Sequence, residues 1–368
     1  MKVLEICVDL DGGGIDRYLL NYCSRINDIH FDFAVVDSKI GILEPEIKAL
    51  GSHIYRIPRQ SAGLKANYKA IKKVITENGY DAVHVHLGYK GALALLCAKN
   101  CGIKTRIVHA HIAAEPEDFK QKLIRKMFTF FTKYLATDLA ACGVDAAKWV
   151  WGKKAYENGK VTIHNNAIQT KKFAYSLDKR TQVRNALGIA DETFVVGHVG
   201  RLCAQKNQLR LLEIFYEIQK NKTDSILLLV GRGDLEDAIK DKIMQLGLEN
   251  NVRLLGVRDD VPLLLNAFDI FVFPSTHEGL PFTLIETQCN GLYAVSANTV
   301  TPLVKLGDCV EFLSLSDSDT LWAEKAIVLA EKGHSENEYN VVAEAGYDID
   351  IEAKKLKEYY FDSVKAAK

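Results

Sequence analysis

The sequence lacks the features by which several classes of protein are recognised. Its 368 residues carry 47 basic and 47 acidic side chains, and this balance argues against a protein that binds nucleic acid through bulk charge. No apolar stretch approaches the roughly 20 residues that cross a bilayer. The first residues, MKVLEICVDL, have neither the basic region nor the cleavage site of a signal peptide. We therefore expect a soluble protein of the cytoplasm.

The eight cysteines do not form a disulfide framework. They are scattered along the chain and mostly lie in apolar runs, which is typical of reduced core residues in a chain of this length. Only Cys97 and Cys101 are close, and no second pair of Cys or His lies beside them at the spacing of a zinc site. We expect neither a disulfide nor a metal ion there.

Short apolar or β-branched runs alternate with helical patterns along the whole chain, and this alternation predicts βαβ units with parallel sheets. The predicted strands span residues 2–9, 31–36, 82–86, 105–109, 138–141 and 161–164, and then 194–199, 225–230, 252–255, 270–273, 293–296 and 310–313. The clearest predicted helices span residues 16–26, 63–78, 89–100, 119–136 and 350–366.

The length fits two domains at roughly 100–200 residues each. We predict an α/β protein of two Rossmann-like, doubly wound parallel-sheet domains that face each other across a cleft. The first would span residues 1–170 and the second 171–349, and a C-terminal helix over 350–368 could pack back on the first domain. Ligands of such sheets bind beyond the carboxyl ends of the strands, so the motifs at those ends are the candidates for a site.

The strongest motif, STHEGLPFTLIE, follows the predicted strand 270–273. Glu278 lies in its loop and Glu286 lies further along the helix, so both carboxylates can point toward one ligand and accept hydrogen bonds from paired hydroxyls. Pro281 is expected as the first helical residue. The amides of residues 280–283 would bind an anion at the positive end of the helix dipole. The alternative is a solvated glutamate and an ordinary capped helix.

A second motif, GHVGRLCAQKN, follows the first strand of the second domain. Its loop allows Arg201 and Lys206 to converge on one point above the sheet, as binding a diphosphate requires. A structural ion pair is the alternative. Gly231 forms a weaker glycine turn after the next strand, and Val257 and Arg258 end another strand, where they could contact a base.

The first domain carries a glycine turn and two pairs of histidines. Gly12–Gly14 follow the first strand, where glycine lets a phosphate approach the backbone, but the spacing is not the Gly-x-Gly-x-x-Gly of a dinucleotide site. The pairs His84/His86 and His109/His111 end two strands. A zinc site is one interpretation of the histidines, yet no carboxylate or cysteine set accompanies them, so we expect none.

The segment 119–134 is basic and amphipathic. It carries Lys120, Lys122, Arg125, Lys126 and Lys133 without an acid, while Leu123, Met127, Phe130, Phe131 and Tyr134 share one helical face. Such a helix can lie on an anionic membrane with its aromatic rings at the interface. The alternative is a helix packed on its own sheet.

Together, the paired glutamates, the Gly-Arg-Leu-x3-Lys-Asn loop and the front glycine turn resemble those of family 4 glycosyltransferases of the GT-B fold. The resemblance spans nearly the whole chain and is nearest to bacterial capsular or exopolysaccharide enzymes. It implies transfer of a hexose-type sugar from a nucleotide diphosphate, with UDP favoured, to a hydroxyl of a saccharide that could be lipid-linked. It also implies retention at the anomeric carbon and no required metal or other cofactor. The basic segment 119–134 adds the expectation of peripheral contact with the inner face of the membrane.

The resemblance further implies residue roles. Arg201 and Lys206 would hold the pyrophosphate, Glu286 the ribose and Glu278 the donor sugar, and His111 would face that sugar. The other residues expected around the donor are Gly13, Gly14, Gly200, Gly231, Val257, Arg258, Gly279, Leu280, Pro281, Phe282 and Thr283. Lys122, Arg125, Lys126 and Phe130 would face the membrane. A sugar-nucleotide epimerase of the same fold and a non-catalytic sugar-binding protein are the alternative functions.

Overall fold

The structure is a computed structural model that describes residues 1–36, 39–112, 118–336 and 338–367. The chain divides into two compact units. The first comprises Met1–Ala167 together with Ile349–Lys368, and the second comprises Ile168–Asp348. Each unit contains one parallel sheet flanked by helices.

The strands lie close to the runs from which they were predicted. In chain order they are β1 Lys2–Cys7, β2 His30–Val35, β3 Ile54–Arg56, β4 Ala82–Val85, β5 Thr105–Ala110, β6 Asp138–Ala141, β7 Val161–Ile163, β8 Phe194–Val199, β9 Ser225–Val230, β10 Val252–Gly256, β11 Ile270–Phe273, β12 Ala294–Ala297 and β13 Val310–Leu313.

The two sheets confirm the predicted Rossmann-like fold class. The first sheet has the order β3-β2-β1-β4-β5-β6-β7 and the second the order β10-β9-β8-β11-β12-β13, with neighbouring strands parallel. The sequence missed only β3, because this strand has three residues, lies at the sheet edge and buries little apolar surface.

Helices connect the strands of both sheets. In chain order they are α1 Gly14–Cys23, α2 Glu44–Ala49, α3 Leu64–Asn78, α4 Ala92–Asn100, α5 Phe119–Leu135, α6 Val144–Ala146, α7 Lys153–Glu157, α8 Thr170–Phe173, α9 Leu177–Leu187, α10 Gln208–Asn221, α11 Glu236–Leu246, α12 Val261–Leu264, α13 Phe282–Cys289, α14 Asp319–Ala330, α15 Glu338–Val342 and α16 Ile349–Ala367. Within the described residues, no helix combines the length and the hydropathy that spanning a membrane requires.

The helix α16 belongs to the first unit although it ends the chain. Its Ser363 binds two strands of the first sheet, because its carbonyl accepts from Thr105 Oγ1 at 3.3 Å and its Oγ donates to Asp138 Oδ1 at 3.1 Å. Asp350 at the start of α16 accepts from Arg25 Nε at 2.9 Å. These contacts place the buried side chain of Tyr360 against the first sheet.

Candidate active site

The loops after β8 and β11 meet at the carboxyl ends of these two neighbouring strands. Lys206 Nζ lies 2.7 Å from Glu278 Oε1, and the two side chains are only 15% and 10% exposed. The same ammonium group lies 4.6 Å from the centre of the Phe273 ring, at the end of β11. Two motifs that were separate in the sequence therefore share one largely buried ion pair.

Hydrogen bonds between the two loops hold this pair in place. The backbone carbonyl of Gln205 accepts from the amide of Thr276 at 2.8 Å, and the side-chain Nε2 of Gln205 donates to the His277 carbonyl at 2.9 Å. Asn207 has a φ of 57°, a conformation that asparagine tolerates better than most residues, and its Nδ2 donates to the Pro274 carbonyl at 3.1 Å. The Lys206 loop is thus fixed to the Glu278 loop on both sides of the lysine.

A buried polar pair supports the backbone of Arg201. His198 Nδ1 donates to the Val272 carbonyl at 2.9 Å, and burial lowers the pKa of His198 to about 4, so the ring is neutral. Gln208 Nε2 donates to the Arg201 carbonyl at 2.8 Å. The Arg201 side chain itself is exposed, so its convergence with Lys206 on a diphosphate stays a prediction. Sequence reasoning missed His198 and Gln208, although a histidine inside an apolar strand was a signal.

The glycine turn after β9 is required by backbone packing. A Cβ on Gly231, whose φ is 134°, would lie 2.1 Å from the Gly200 carbonyl oxygen, and a Cβ on Gly233 would lie 2.1 Å from that of Leu202. The amide of Gly200 donates to the Val230 carbonyl at 2.9 Å. Gly231 therefore has a structural reason to be glycine, and its contact with a donor stays a prediction.

The helix α13 begins one residue later than predicted. Phe282 is its first residue and Pro281, with extended backbone, is the N-cap, because the last non-helical backbone angles before the helix are those of the proline. The amides of Phe282 and Thr283 lie in the first turn, where an α-helix offers donors without partners inside the helix. Glu286 is half-buried one turn further along. The contacts expected of Gly279, Leu280, Phe282, Thr283 and Glu286 with a donor remain predictions.

Arg258, predicted to contact a base, forms a two-point ion pair instead. Its Nε and Nη2 donate to the two carboxylate oxygens of Asp260 at 2.8 and 2.6 Å, and this hydrogen-bonded pairing raises the pKa of Arg258. The neighbouring Val257 is exposed. Arg258 therefore has a local partner, and its contact with a base stays a prediction.

In the first unit, two amides of the glycine turn bind a side chain. The N–H groups of Gly12 and Gly13 donate to Asp16 Oδ2 at 3.0 and 2.8 Å, and α1 begins at Gly14, two residues earlier than predicted. Burial raises the pKa of Asp16 to about 7. A phosphate at this turn would have to replace the Asp16 carboxylate, a competitor that the sequence analysis missed.

The two histidine pairs lie on one face of the first sheet, with a carboxylate among them. Glu5 on β1 is paired in register with His84 on β4. His86 Nε2 lies 2.7 Å from Glu5 Oε2, and His86 Nδ1 lies 2.8 Å from His111 Nε2. We call the histidine cluster the set His84, His86, His109, His111, Glu5 and Tyr360.

The other half of the histidine cluster continues the hydrogen bonds. Tyr360 Oη donates to Glu5 Oε1 at 2.9 Å and lies 2.6 Å from His84 Nδ1. His84 Nε2 lies 3.3 Å from His109 Nδ1. Burial lowers the pKa of all four histidines and raises that of Glu5 to about 8. Both ring nitrogens of His84 and of His86 thus take part in a network of neutral groups, and Glu5 is the carboxylate that the sequence did not reveal.

The basic helix α5 exposes its apolar face. Phe119, Phe130 and Tyr134 are 84%, 69% and 72% exposed, and Lys122 and Lys126 are exposed beside them. Arg125 differs, because its Nη1 donates to the Trp149 carbonyl at 2.9 Å and its guanidinium stacks on the Trp149 ring. The helix is therefore only partly packed on its own unit, and Arg125 is anchored there.

Comparisons with known proteins indicate which family the chain resembles. Residues 179–339 match the family model described as glycosyl transferases group 1. The chain is 28% identical to the putative glycosyltransferase EpsF of Bacillus subtilis over 98% of this chain and 96% of that protein. It is also 29% identical to the Escherichia coli UDP-Gal:alpha-D-GlcNAc-diphosphoundecaprenol alpha-1,3-galactosyltransferase, over 80% of this chain and 79% of that protein. Residues 179–339 thus resemble the group 1 glycosyltransferases, and the relatives that match most of the chain are named as glycosyltransferases.

A solved structure has a fold similar to that of this chain. Anabaena Alr3699/HepE, crystallised with UDP, has a TM-score of 0.80 and 21% sequence identity, and the match covers 98% of this chain and 100% of that one. The family match includes both Lys206 and Glu278. The ion pair of these two residues therefore lies inside the segment that matches the family model.

Proposed function

We propose that this glycosyltransferase is a retaining hexosyltransferase that uses a UDP-sugar, requires no metal, and transfers the sugar to a hydroxyl of a saccharide in surface-polysaccharide synthesis. The observation that carries the proposal is the ion pair of Lys206 with Glu278 at the carboxyl ends of β8 and β11. Further support comes from the E. coli relative, whose name specifies a UDP-sugar and a diphosphoundecaprenol acceptor, and from HepE, which binds UDP.

The chemistry follows from where charge develops. When the bond between sugar and phosphate breaks, negative charge builds on the departing diphosphate and positive charge builds on the anomeric carbon. Lys206, Arg201 and the first amides of α13 would stabilise the diphosphate, and such preorganised electrostatics usually contribute most to catalysis. Glu278 fixes the Lys206 ammonium group before the donor arrives, and its carboxylate can accept a hydrogen bond from a sugar hydroxyl. The acceptor hydroxyl would attack from the face that the diphosphate leaves, and its proton would pass to that phosphate.

Replacing the lysine tests the proposal. We expect Lys206→Met to lower kcat/KM for UDP-sugar by roughly 30- to 1000-fold, because such a loss is typical of removing one donor to a developing anion. Lys240→Met is the matched control, since Lys240 forms an exposed ion pair with Glu236 on α11 of the same unit. UDP release measured with acceptor gives the rate of transfer, and UDP release without acceptor gives the rate of donor hydrolysis. An unaltered rate of transfer by Lys206→Met would contradict the proposal.

Ligand binding provides a test that needs no acceptor. UDP at a hundred times its dissociation constant should stabilise the folded chain by about 2.7 kcal/mol, which a thermal shift detects. We expect UDP or UDP-sugars to stabilise the wild type more than the Lys206→Met variant. A panel of nucleoside diphosphates and their sugars without any shift would overturn the assignment of a nucleotide-sugar site.

We also propose that α5 contacts an anionic membrane, where a lipid-linked acceptor would be presented. The exposed rings of Phe119, Phe130 and Tyr134 lie on a helix whose flank carries Lys122 and Lys126. Apolar burial at the interface and attraction to anionic lipids act together on such a helix. Arg125 contributes less than predicted, because it is bound to Trp149.

A further inference from the structure

The histidine cluster contains a continuous chain of hydrogen bonds. In order, its members are His111, His86, Glu5, Tyr360, His84 and His109. Because the Tyr360 hydroxyl donates to Glu5, its oxygen accepts from His84 Nδ1–H, and His84 Nε2 then accepts from His109 Nδ1–H. In this half of the hydrogen-bonded chain, the same atoms donate whether Glu5 is neutral or ionised.

The other half has two arrangements that differ by one proton. When Glu5 is neutral, its Oε2–H donates to His86 Nε2, and His86 Nδ1–H donates to His111 Nε2, so a neutral His111 carries its proton on Nδ1. When Glu5 is a carboxylate, Oε2 accepts from His86 Nε2–H, and His86 Nδ1 accepts from His111 Nε2–H. The Nδ1 atom of His111 then has a lone pair.

The exchange between the two arrangements balances. The proton of Glu5 passes to His86 Nε2, the proton of His86 Nδ1 passes to His111 Nε2, and the proton of His111 Nδ1 leaves to solvent or to a base. Both histidines remain neutral, and the negative charge ends on Glu5. One proton thus enters or leaves the cluster at His111, although the group that changes its charge is Glu5.

The groups that face Glu5 keep one protonation state around neutral pH. Burial lowers the pKa of the neighbouring histidines and raises the pKa of the neighbouring tyrosines and thiols. These neighbours are Cys7 on β1, His84 and His86 on β4, His109 on β5, His164 after β7, Tyr18 and Cys23 on α1, and Tyr360 on α16. Within this set, Glu5 is the group whose pKa, about 8, lies near neutrality.

We propose that Glu5 and His86 are positioning residues that set the tautomer of His111, and that Glu5 stores the proton which His111 Nδ1 gives up or takes. His111 then presents either an N–H donor or a lone pair at Nδ1, according to the state of Glu5. The consequence for transfer rests on the proposed function and on the expectation, implied by the family resemblance, that His111 would face the donor sugar. There, the state of Glu5 decides whether Nδ1 donates to a sugar hydroxyl or accepts from it.

The tautomer of His111 can be read without substrate. Long-range ¹H–¹⁵N spectra of the full-length protein labelled with [¹⁵N]histidine distinguish a protonated from an unprotonated ring nitrogen, and a His111→Gln variant assigns the His111 signals. We expect the proton on Nδ1 at pH 6.5 and on Nε2 at pH 9.5, with a midpoint near pH 8. A His111 tautomer that stays the same over this range would overturn the proposal.

Two substitutions and a control sharpen the test. Glu5→Gln retains the shape and keeps an acceptor for Tyr360 and a donor for His86, so it should lock His111 with its proton on Nδ1 at every pH. Tyr360→Phe should raise the midpoint, because the hydrogen bond from Tyr360 favours the carboxylate. Tyr18→Phe is the control, since its ring packs against His111 but its hydroxyl is not part of the chain. A Glu5→Gln spectrum that titrates like the wild type would contradict the proposal, provided that circular dichroism shows a folded chain.

The spectra and the enzyme assay separate the two hypotheses. If His111 changes its tautomer but no UDP-sugar is turned over, the proposed function fails and the positioning role stands. If turnover is found but the tautomer does not change, the positioning role fails alone. When both hold, the kcat of the wild type should show an inflection near pH 8 that is absent from Glu5→Gln.

Discussion

Acidification should destabilise the first unit steeply, and the size of the effect follows from its buried histidines. The five residues concerned are His84, His86, His109, His111 and His164, and burial lowers the pKa of each in the folded chain. In the unfolded chain each returns to a pKa of about 6.5, so unfolding takes up protons as the pH falls below that value. Stability is therefore fully present above pH 6.5 and is lost as the pH falls below it.

Glu5 acts with the opposite sign. Its pKa of about 8 in the folded chain exceeds the ordinary value for glutamate, so unfolding releases its proton, and its contribution to stability is lost as the pH rises toward 8. Asp16, whose pKa in the folded chain is about 7, also releases its proton on unfolding. At pH 5.5 the five histidines take up about 4.5 protons, and Glu5 and Asp16 release about 0.9 each, which gives a slope of about 3.7 kcal/mol per pH unit. At pH 7 the histidines take up about 1.2 protons while Glu5 and Asp16 release about 0.9 and 0.5, so the contributions nearly cancel.

Urea unfolding measures both slopes. Two of the three tryptophans, Trp149 and Trp151, lie in the first unit, so a Trp322→Phe background makes the fluorescence report that unit alone. We expect the free energy of unfolding to be nearly flat around pH 7 and to fall by about 3.7 kcal/mol per pH unit near pH 5.5. Glu5→Gln in this background removes one of the two opposing protons and leaves that of Asp16, so its slope at pH 7 should be about 1 kcal/mol per unit. A slope below about 1.5 kcal/mol per unit at pH 5.5 would show that the histidines are not held neutral.

Two further predictions concern backbone packing and the membrane. Gly231→Ala should destabilise the second unit by about 3 kcal/mol or more, because the new Cβ would meet the Gly200 carbonyl. Gly247→Ala, with open space around it, should cost only about 1–2 kcal/mol. Urea unfolding followed by Trp322 fluorescence compares the two variants, and equal losses of stability would refute the packing argument. Phe130→Ser should weaken sedimentation of the protein with anionic vesicles several-fold. Neutral vesicles should bind neither the variant nor the wild type. Equal binding of Phe130→Ser and wild type to anionic vesicles would contradict the proposed role of α5.

The strands that carry the second unit's motifs could be predicted from the sequence because their information is local. Lys206 and Glu278 each follow a strand whose pattern is unambiguous, and the carboxyl ends of neighbouring parallel strands meet at one edge of a sheet. The sequence could not reveal that the two side chains form an ion pair, because that depends on the order β8-β11 in the sheet. The sequence analysis also did not anticipate the local pairing of Arg258 with Asp260, because it considered Arg258 only as a contact with a base.

The histidine cluster shows the opposite case. Glu5 and Tyr360 lie near the two ends of the chain, and only the return of α16 to the first sheet brings them together. The sequence analysis found no carboxylate that accompanies the histidines, because Glu5 lies about 80 residues before His84 and only the pairing of β1 with β4 brings the two together. By contrast, Asp16 lies three residues from Gly13, and the capping of α1 by its carboxylate was within reach of the sequence pattern.

The burial of so many polar groups in the first unit argues for a role beyond stability. Each neutral histidine in the cluster lowers the tolerance of the fold to acid, and a buried carboxyl is retained only at a cost in desolvation. Apolar side chains at Glu5 and His84 would avoid both penalties on the same strands. The order of the hydrogen bonds indicates what these buried polar groups do, because the hydrogen-bonded chain leads from the protein interior to His111, which is only partly buried. If the cluster served only packing, replacing His84 and Glu5 together by apolar residues would preserve the tautomer and pH dependence of His111. We expect instead that the pH dependence of His111 is lost.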